Sequence, residues 1–284
     1  MCHSTFQLKT PKGIFNIGCG KCYPCKQKRK RNWTFRLHHE FKSAKSAAFI
    51  TLTYNDESIP VTDGVEHLFK RDLQLFIKQL RNTHLKHYKT EYNFKSIKDA
   101  QKNAPQVRYF ACGEYGEKTL RPHYHILLFN YPTSLYNNLA PLWNKGHVHI
   151  GDVNNATIAY TAKYIMKGKN EVHDSYPMFN TMSKKPPIGH TYFKMEKWHR
   201  ENKSILCKDQ NGNLMLLPRI FRDKFFTEIE QRALLKKHFI EYEANLLKEE
   251  KRLSDLGNEL GQLEYSLRLD ELRRLNRLNK QEKI

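Results

Sequence analysis

The chain has 284 residues and a net charge of +20, with 49 lysine and arginine residues against 29 aspartate and glutamate residues. The excess lies almost entirely in residues 1–219, because residues 220–284 hold 14 basic and 13 acidic side chains, and it predicts a polyanionic partner, nucleic acid before membrane. No stretch approaches the roughly 20 apolar residues of a membrane span, and no apolar segment follows the start as a signal peptide would, which argues against both.

Cysteines crowd the first 45 residues. Cys19, Cys22 and Cys25 follow one another at three-residue intervals, and Cys2 lies upstream. This spacing suits thiolate ligation, and disulfides are rare in a reducing cytosol, so we expect structural Zn²⁺ here with Cys2 or His3 as the fourth ligand. Free thiols remain the alternative, since the spacing differs from that of an ordinary two-knuckle site, and an iron–sulfur cluster is less favoured because nothing else suggests electron transfer.

A basic run follows the cysteines. Residues 26–31 read Lys-Gln-Lys-Arg-Lys-Arg, and Trp33, Phe35 and Arg36 come next. A basic run with aromatic residues nearby predicts phosphate contact and base stacking, although a solvated helix face gives the same pattern. The residues predicted to contact DNA here are Lys28, Arg29, Lys30 and Arg31.

The middle of the chain opens with a strand and a helix. Residues 49–54 alternate apolar and threonine side chains, which predicts a central strand. Residues 68–88 carry a helical apolar stripe and predict a helix that covers the sheet. Residues 89–105 are polar and lysine-rich, and they predict a loop or a poorly ordered insert.

Two further strand candidates lie at residues 107–114 and 123–129. His123 and His125 share one face of the second strand, because side chains alternate along a strand. If the two strands form a hairpin, Glu114 lies near His123 across the pair. Two imidazoles and a carboxylate predict a site for Mg²⁺ or Mn²⁺ whose shell phosphate oxygens complete, with Glu117 as the competing third ligand.

A second His-x-His pair, His147 and His149, lies on another probable strand. It is a rival by pattern alone, but no upstream carboxylate corresponds to Glu114. Two surface or packed histidines, without any metal, are the simpler interpretation of either pair.

A short helix is predicted next, which Asn154 or Asn155 can cap and Gly168 can end. Tyr160 and Tyr164 are four residues apart and therefore share one helix face. Tyrosines at this spacing more often pack than react, but beside a metal site they predict a pair of nucleophiles for a phosphodiester. Two lysines, also four residues apart, lie on an overlapping face: Lys163, which favours its neighbour Tyr164 for the first cut, and Lys167, a predicted DNA contact.

The remaining residues change character twice. Residues 175–218 mix proline, glycine, lysine and aromatic residues, and residues 183–189 predict a surface loop over the DNA. From residue 220 the leucines step mostly by three and four, which predicts a long helix or helical hairpin that packs on the core or pairs with another copy. These leucines are Leu246, Leu253, Leu256, Leu260, Leu263 and Leu267.

The His-x-His strand followed by Tyr-x-x-Lys-Tyr resembles the HUH endonuclease superfamily, the rolling-circle replication initiators. The two-tyrosine form is similar to the initiators of microviruses, which are small single-stranded DNA phages. Residues 19–25, 49–54 and 112–116 resemble the gokushovirus branch of that family. The likeness covers roughly residues 15–225 in the same order along the chain.

The resemblance implies an α+β fold, the HUH nuclease core: an antiparallel sheet of about five strands with packed helices. It implies a cysteine-rich segment (1–45), a nuclease core (46–219) and a helical extension (220–284) that could mediate self-association. It also implies that His123, His125 and Glu114 hold the metal while Tyr160 and Tyr164, assisted by Lys163, cut origin DNA. The products would be a 5′-phosphotyrosine and a 3′ hydroxyl that primes replication, and later rejoining would release circular single-stranded genomes.

The implied partners are single-stranded and replicative-form origin DNA, a host helicase and the host replication machinery, all in the host bacterial cytoplasm. A plasmid relaxase or a transposase of the same superfamily is an alternative, against which the cysteine-rich start and the lack of an added helicase domain argue. A DNA-binding protein without catalysis is the other alternative. Pure binding needs no paired hydroxyls beside a metal site, so the tyrosine pair argues against it.

Overall fold

A computed structural model describes residues 5–10, 13–164 and 175–255. The strands are β1 (Phe6–Thr10), β2 (Gly13–Ile17), β3 (Ala47–Thr53), β4 (Val61–Thr62), β5 (Val65–Glu66), β6 (Arg108–Tyr115), β7 (Pro122–Phe129), β8 (Val148–Gly151), β9 (Phe179–Met182), β10 (Leu206–Lys208) and β11 (Leu214–Leu216). The helices are α1 (Tyr23–Ser43), α2 (Lys70–Glu91), α3 (Ile97–Asn103), α4 (Leu139–Trp143), α5 (Asn155–Lys163), α6 (Glu196–Glu201), α7 (Arg219–Phe225) and α8 (Glu228–Asp255). The chain divides into one unit of Trp33–Thr191 and another of Met1–Asn32 with Tyr192–Ile284.

Five strands of the first unit form one antiparallel sheet in the order β8-β3-β7-β6-β9. The centre is β7, which pairs with β3 on one side and with β6 on the other. Pro122 stands at the first position of β7, where a missing N–H interrupts the ladder least. The predicted α+β class, the five-stranded antiparallel sheet and the central strand over residues 49–54 are all confirmed.

The two faces of this sheet pack against different helices. One face carries Leu52, Tyr124 and Ile126 against the apolar stripe of α2, with Trp143 of α4 beside them. This confirms the helix predicted over residues 68–88. The other face carries Phe110, Leu127 and Phe129, and it packs against Leu37 of α1 and two residues of α5, Ile158 and Ala162. Since side chains alternate along β7, His123 and His125 lie on this second face.

Two loop predictions are wrong in part. Residues 97–103 form α3, whose N-cap Ser96 accepts the Asp99 backbone N–H at 3.1 Å. This Ser-x-x-Asp start is a local capping signal that the polar composition of the segment hid. Residues 184–189 do form a turn, but its end at Ile188 is buried, and the preceding Ser183 accepts the Tyr109 N–H, so only the middle of the turn is at the surface.

A buried ion pair joins α1 to the sheet. The Glu40 carboxylate pairs with the Arg108 guanidinium, and each side chain is only 3% exposed. Glu40 also accepts the Gly189 N–H at 2.7 Å. Gly189 has a φ of +77°, and an added Cβ would lie 2.7 Å from the Arg36 carbonyl oxygen, so only glycine fits this approach.

Glu40→Ala is expected to lower the free energy of unfolding by about 3–5 kcal/mol, because it leaves a buried guanidinium without its carboxylate. Urea denaturation followed by circular dichroism measures the change. Glu91→Ala is the matched control, because Glu91 pairs with His87 at the surface and its loss should cost no more than about 1 kcal/mol. Equal losses in the two variants would show that the buried pair stabilises the fold no more than a surface pair.

The second unit contains the β1–β2 and β10–β11 hairpins and the helix α8 of 28 residues. This helix confirms the long C-terminal helix as far as residue 255, and the leucine pattern from Leu256 onward lies outside the described residues. Its exposed apolar side chains include Phe239, Ile240 and Leu247. Within the described residues, no helix is long and apolar enough to cross a bilayer.

Candidate metal centre and tyrosine pair

The β6–β7 hairpin builds the first part of the site. Its register pairs Glu114 with His123 and Cys112 with His125, as the alternation of side chains predicts. The Glu114 Oε1 atom lies 2.7 Å from Nε2 of His123 and 3.0 Å from Nε2 of His125. Among the described residues, Glu114, His123 and His125 are one of two groups whose donor atoms could hold a metal ion, with the atoms within 4.8 Å of one another.

Both histidine rings are oriented through their second nitrogen. Nδ1 of His125 lies 3.0 Å from the Thr51 hydroxyl on β3, and Nδ1 of His123 lies 3.1 Å from the Arg121 carbonyl oxygen. A carbonyl oxygen only accepts, so Nδ1 of His123 carries the N–H and Nε2 of a neutral ring carries the lone pair. That lone pair faces the Glu114 carboxylate, and such a gap fits a cation, either a second ring proton or a metal ion.

The Glu114 carboxyl group is held in its charged form. Burial by itself would raise its pKa, but hydrogen bonds and charge interactions with His123 and His125 outweigh burial and lower the pKa to about 2. Glu114 and His125 are buried, whereas His123 is partly exposed. Two imidazole nitrogens and one anionic oxygen are a donor set suited to a divalent ion that keeps further positions for phosphate or water.

Helix α5 brings the tyrosines to the same place. Asn154 caps its start, with a reciprocal pair of bonds to the Thr157 backbone and side chain, which confirms one of the two predicted caps. The ring of His125 lies 5.4 Å from that of Tyr160 and 5.6 Å from that of Tyr164, centroid to centroid. The two tyrosine rings are 5.0 Å apart and nearly perpendicular, so both contact the metal-binding group.

The two tyrosines differ in access. Tyr160 is 44% exposed, whereas Tyr164 is 7% exposed. Burial raises the pKa of both hydroxyls, and the Glu114 charge raises both pKa values further. The hydrogen bond with Tyr164 lowers the pKa of Tyr160, while that with Tyr160 raises the pKa of Tyr164. Both phenols therefore keep their protons at neutral pH unless a positive charge offsets the carboxylate.

Other predicted residues lie around this centre. Lys163 is exposed on α5, and Glu117 is exposed in the turn after β6, outside the group of three possible ligands. His147 and His149 are exposed at the edge strand β8 and belong to neither possible metal-binding group among the described residues. Lys167 and the helix end predicted at Gly168 lie outside the described residues.

The sequence reasoning missed two neighbours of His125. Thr51 orients its ring, and Phe49 stacks on it at 5.4 Å with an interplanar angle of 13°. Both belong to the strand predicted over residues 49–54 and lie on the same face as His125. The alternation of that strand carried the signal, but the pairing of Thr51 with His125 was needed to interpret it.

The N-terminal predictions have mixed outcomes. Cys19, Cys22 and Cys25 form the other possible metal-binding group, whereas Cys2 lies outside the described residues. Lys28 and Arg29 are exposed and Lys30 is partly exposed. The Arg31 guanidinium instead binds Asp209, with Nη2 2.8 Å from the carboxylate.

Base stacking on the two aromatic residues after the basic run is not supported. Phe35 is 2% exposed, so the prediction that it stacks on bases is wrong. Trp33 packs against Phe110 at 5.2 Å, and the Arg36 guanidinium covers its ring at 4.0 Å. The sequence pattern could not distinguish these core contacts from an exposed stacking surface.

Comparison with known proteins adds independent information. Residues 47–169 match the family model for the replication-associated protein ORF2. The replication-associated protein VP4 of Bdellovibrio phage phiMH2K is 29% identical, over 92% of this chain and 82% of that protein. The ORF2 protein of Spiroplasma virus 4 is 28% identical, over 72% and 66%, and the ORF4 protein of Chlamydia phage 1 is 24% identical, over 58% and 42%.

A solved structure, the nuclease domain of the minute virus of mice non-structural protein 1, also aligns, over 71% of this chain and 96% of that domain. Its identity is 12% and its TM-score is 0.19, values too low to support an argument. The family model and the phage relatives suffice without it, and together they confirm the resemblance of this chain to the microvirus-like replication initiators.

Proposed function

We propose that this chain is a rolling-circle replication initiator that nicks origin DNA with a tyrosine nucleophile. The observation that carries the proposal is the contact of Tyr160 and Tyr164 with His125, inside one group of two histidines and a carboxylate. The phage relatives, which are named as replication-associated proteins, support the biological setting. A charge of +20 suits a protein that handles DNA.

The metal ligands in this proposal are His123, His125 and Glu114. A divalent ion bound there, Mg²⁺ or Mn²⁺, supplies Lewis-acid polarisation of a phosphodiester. The protein's own contribution is orientation: Thr51 and the Arg121 carbonyl fix the two rings, and the buried carboxylate supplies the negative charge that attracts the cation.

The reaction is a transfer of the phosphoryl group to tyrosine. The phenol oxygen of one tyrosine bonds to phosphorus, the bond from phosphorus to the 3′ oxygen breaks, and the 3′ oxygen leaves as a hydroxyl that takes up a proton. The 5′-phosphotyrosine conserves the bond energy, so attack by a 3′ hydroxyl reverses the step and closes a circle. Lys163, exposed one residue before Tyr164, is proposed to offset the phosphate charge.

Two tyrosines permit a complete replication cycle. One holds the first 5′ end while the other cuts the next origin, and the released 3′ hydroxyl then rejoins the first end. The greater exposure of Tyr160 favours it for the first cut, contrary to the preference for Tyr164 drawn from its neighbour Lys163. The perpendicular arrangement of the two rings, 5.0 Å apart, suits alternate use of one phosphate position.

The wider setting is proposed on the same basis. The cysteine-rich segment (1–45) and the nuclease core (46–219) would bind single-stranded and replicative-form DNA, with Lys28, Arg29, Lys30 and Lys167 as phosphate contacts. Arg31 is a weaker candidate, since it already pairs with Asp209. The extension (220–284) would mediate self-association, and a host helicase and replication machinery would continue synthesis in the bacterial cytoplasm.

One experiment tests the proposal directly. The full chain is incubated with labelled single-stranded DNA that contains the cognate phage origin and Mn²⁺, and the products are separated on a denaturing gel. A band of DNA covalently joined to protein is expected, and EDTA should abolish it. Retention of the DNA without any covalent product would indicate a binding protein without catalysis, and cleavage that needs a plasmid transfer origin or transposon end would indicate a relaxase or transposase.

A further inference from the structure

Three cysteines of the N-terminal segment converge on one point, far along the sequence from the proposed nuclease centre. The sulfur atoms of Cys19, Cys22 and Cys25 all lie within 4.8 Å of one another, and each residue is partly exposed. Three sulfur atoms at such distances match a shared metal ligand set, because sulfur atoms on tetrahedral zinc lie about 3.8 Å apart when each Zn–S bond is about 2.3 Å. An odd number of cysteines cannot all be paired as disulfides within one such group.

The local backbone explains the convergence. Gly20 has a φ of +72°, which a glycine adopts without strain and which turns the chain between Cys19 and Cys22. The Cys22 backbone N–H donates to the Cys19 sulfur at 3.2 Å. Sulfur is a weak acceptor as a thiol, so an N–H directed at it in a tight turn is a contact that the negative thiolate strengthens.

The start of helix α1 brings in the third sulfur. The helix begins at Tyr23, so Cys22 directly precedes it and Cys25 lies in its first turn. The positive end of the helix dipole favours negative charge at these positions. Arg29 adds a positive side chain nearby, because a Cβ on Gly20 would lie 3.5 Å from its Nη2 atom. Several features of this turn therefore stabilise thiolates rather than neutral thiols.

We propose that Cys19, Cys22 and Cys25 bind one Zn²⁺ ion that locks the turn between β2 and α1. Thiolates are soft ligands that favour zinc over the hard ions suited to the histidine–carboxylate centre. Cys2 or His3, outside the described residues, could complete four-coordination, but the proposal requires only the three described ligands. The role is structural: the ion fixes the first turn of α1, directly before the basic residues 26–31.

The proposal is independent of the nuclease function, and metal content tests it. The full chain, prepared without chelators in zinc-supplemented medium and desalted, is expected to retain about one zinc per chain by elemental analysis. X-ray absorption at the zinc edge should show at least three sulfur neighbours at about 2.3 Å. The double change Cys19→Ser and Cys22→Ser should remove the zinc.

Three controls separate this site from other causes. Cys207→Ser changes a buried cysteine in another part of the chain and should keep the zinc, and so should His123→Ala, which removes a ligand of the other centre. Cys25→His should also retain zinc, because imidazole can replace a thiolate, and this variant covers the case in which the double serine variant fails to fold. Absence of zinc, zinc bound by nitrogen and oxygen alone, or iron with visible absorption would each overturn the proposal.

Discussion

His125→Ala is expected to reduce cleavage of origin DNA by at least about 100-fold, because loss of outer-shell partners alone typically costs 10–100-fold and this residue is a direct ligand. His125 also contacts both tyrosines, so its removal affects the metal position and the nucleophiles together. His123→Ala and Glu114→Gln should have comparable effects. Retention of the DNA should change by no more than about threefold, since binding depends on charges spread over the surface.

The measurement combines the denaturing-gel assay with filter binding at fixed salt. His149→Ala is the matched control, because it removes an exposed histidine that pairs with the same residue of β3, Thr51, from the opposite side. Cleavage by this control should remain normal. If His147→Ala or His149→Ala stopped cleavage while His125→Ala left it intact, the metal centre would lie at the edge strand and the assignment would be wrong.

Thr51→Val tests the orientation of His125 more finely. The valine has nearly the same shape but no hydroxyl, so Nδ1 of His125 loses its 3.0 Å partner. Cleavage should fall by about 10–100-fold, and a higher Mn²⁺ concentration should restore part of it. A purely structural role for Thr51 would leave the Mn²⁺ dependence unchanged, which makes this dependence the decisive readout.

The double change Tyr160→Phe and Tyr164→Phe is expected to remove the covalent adduct entirely, because no hydroxyl remains beside the metal ligands. Each single change should still permit one cleavage and one adduct, since the rings lie 5.0 Å apart and both contact His125. Neither single variant should complete the cycle of a second cut followed by release of a closed circle. This outcome follows from the need for one hydroxyl to cut while the other holds the first 5′ end.

A substrate with two origin copies measures both stages, through adducts on a denaturing gel and closed circles in the same reaction. Mass spectrometry of the adduct peptide identifies the tyrosine used first, and the exposure of Tyr160 favours that residue. Tyr176→Phe is a suitable control, because this tyrosine stacks on His67 and not on His125, and it should give both products. A single Phe variant that closed circles at the normal rate would show that one tyrosine only packs against the sheet.

The sequence alone determined the parts of the site that depend on local repeats. Alternation along residues 107–114 and 123–129 was enough to predict a hairpin with Glu114 near His123, and the structure has that register. The four-residue spacing of Tyr160 and Tyr164 was enough to place both rings on one helix face. Such patterns are readable because the backbone geometry of strands and helices fixes the direction of neighbouring side chains.

Only the tertiary structure decided between residues of the same type. His125 and His149 look alike in the sequence, yet the sheet order puts one at the centre beside Glu114 and the other at an exposed edge. Likewise, the guanidinium of Arg31 is held by Asp209, far along the chain, which no local pattern reveals. The physical reason is that contacts between distant segments depend on which strands pair and which faces are buried, and short-range periodicity does not encode that choice.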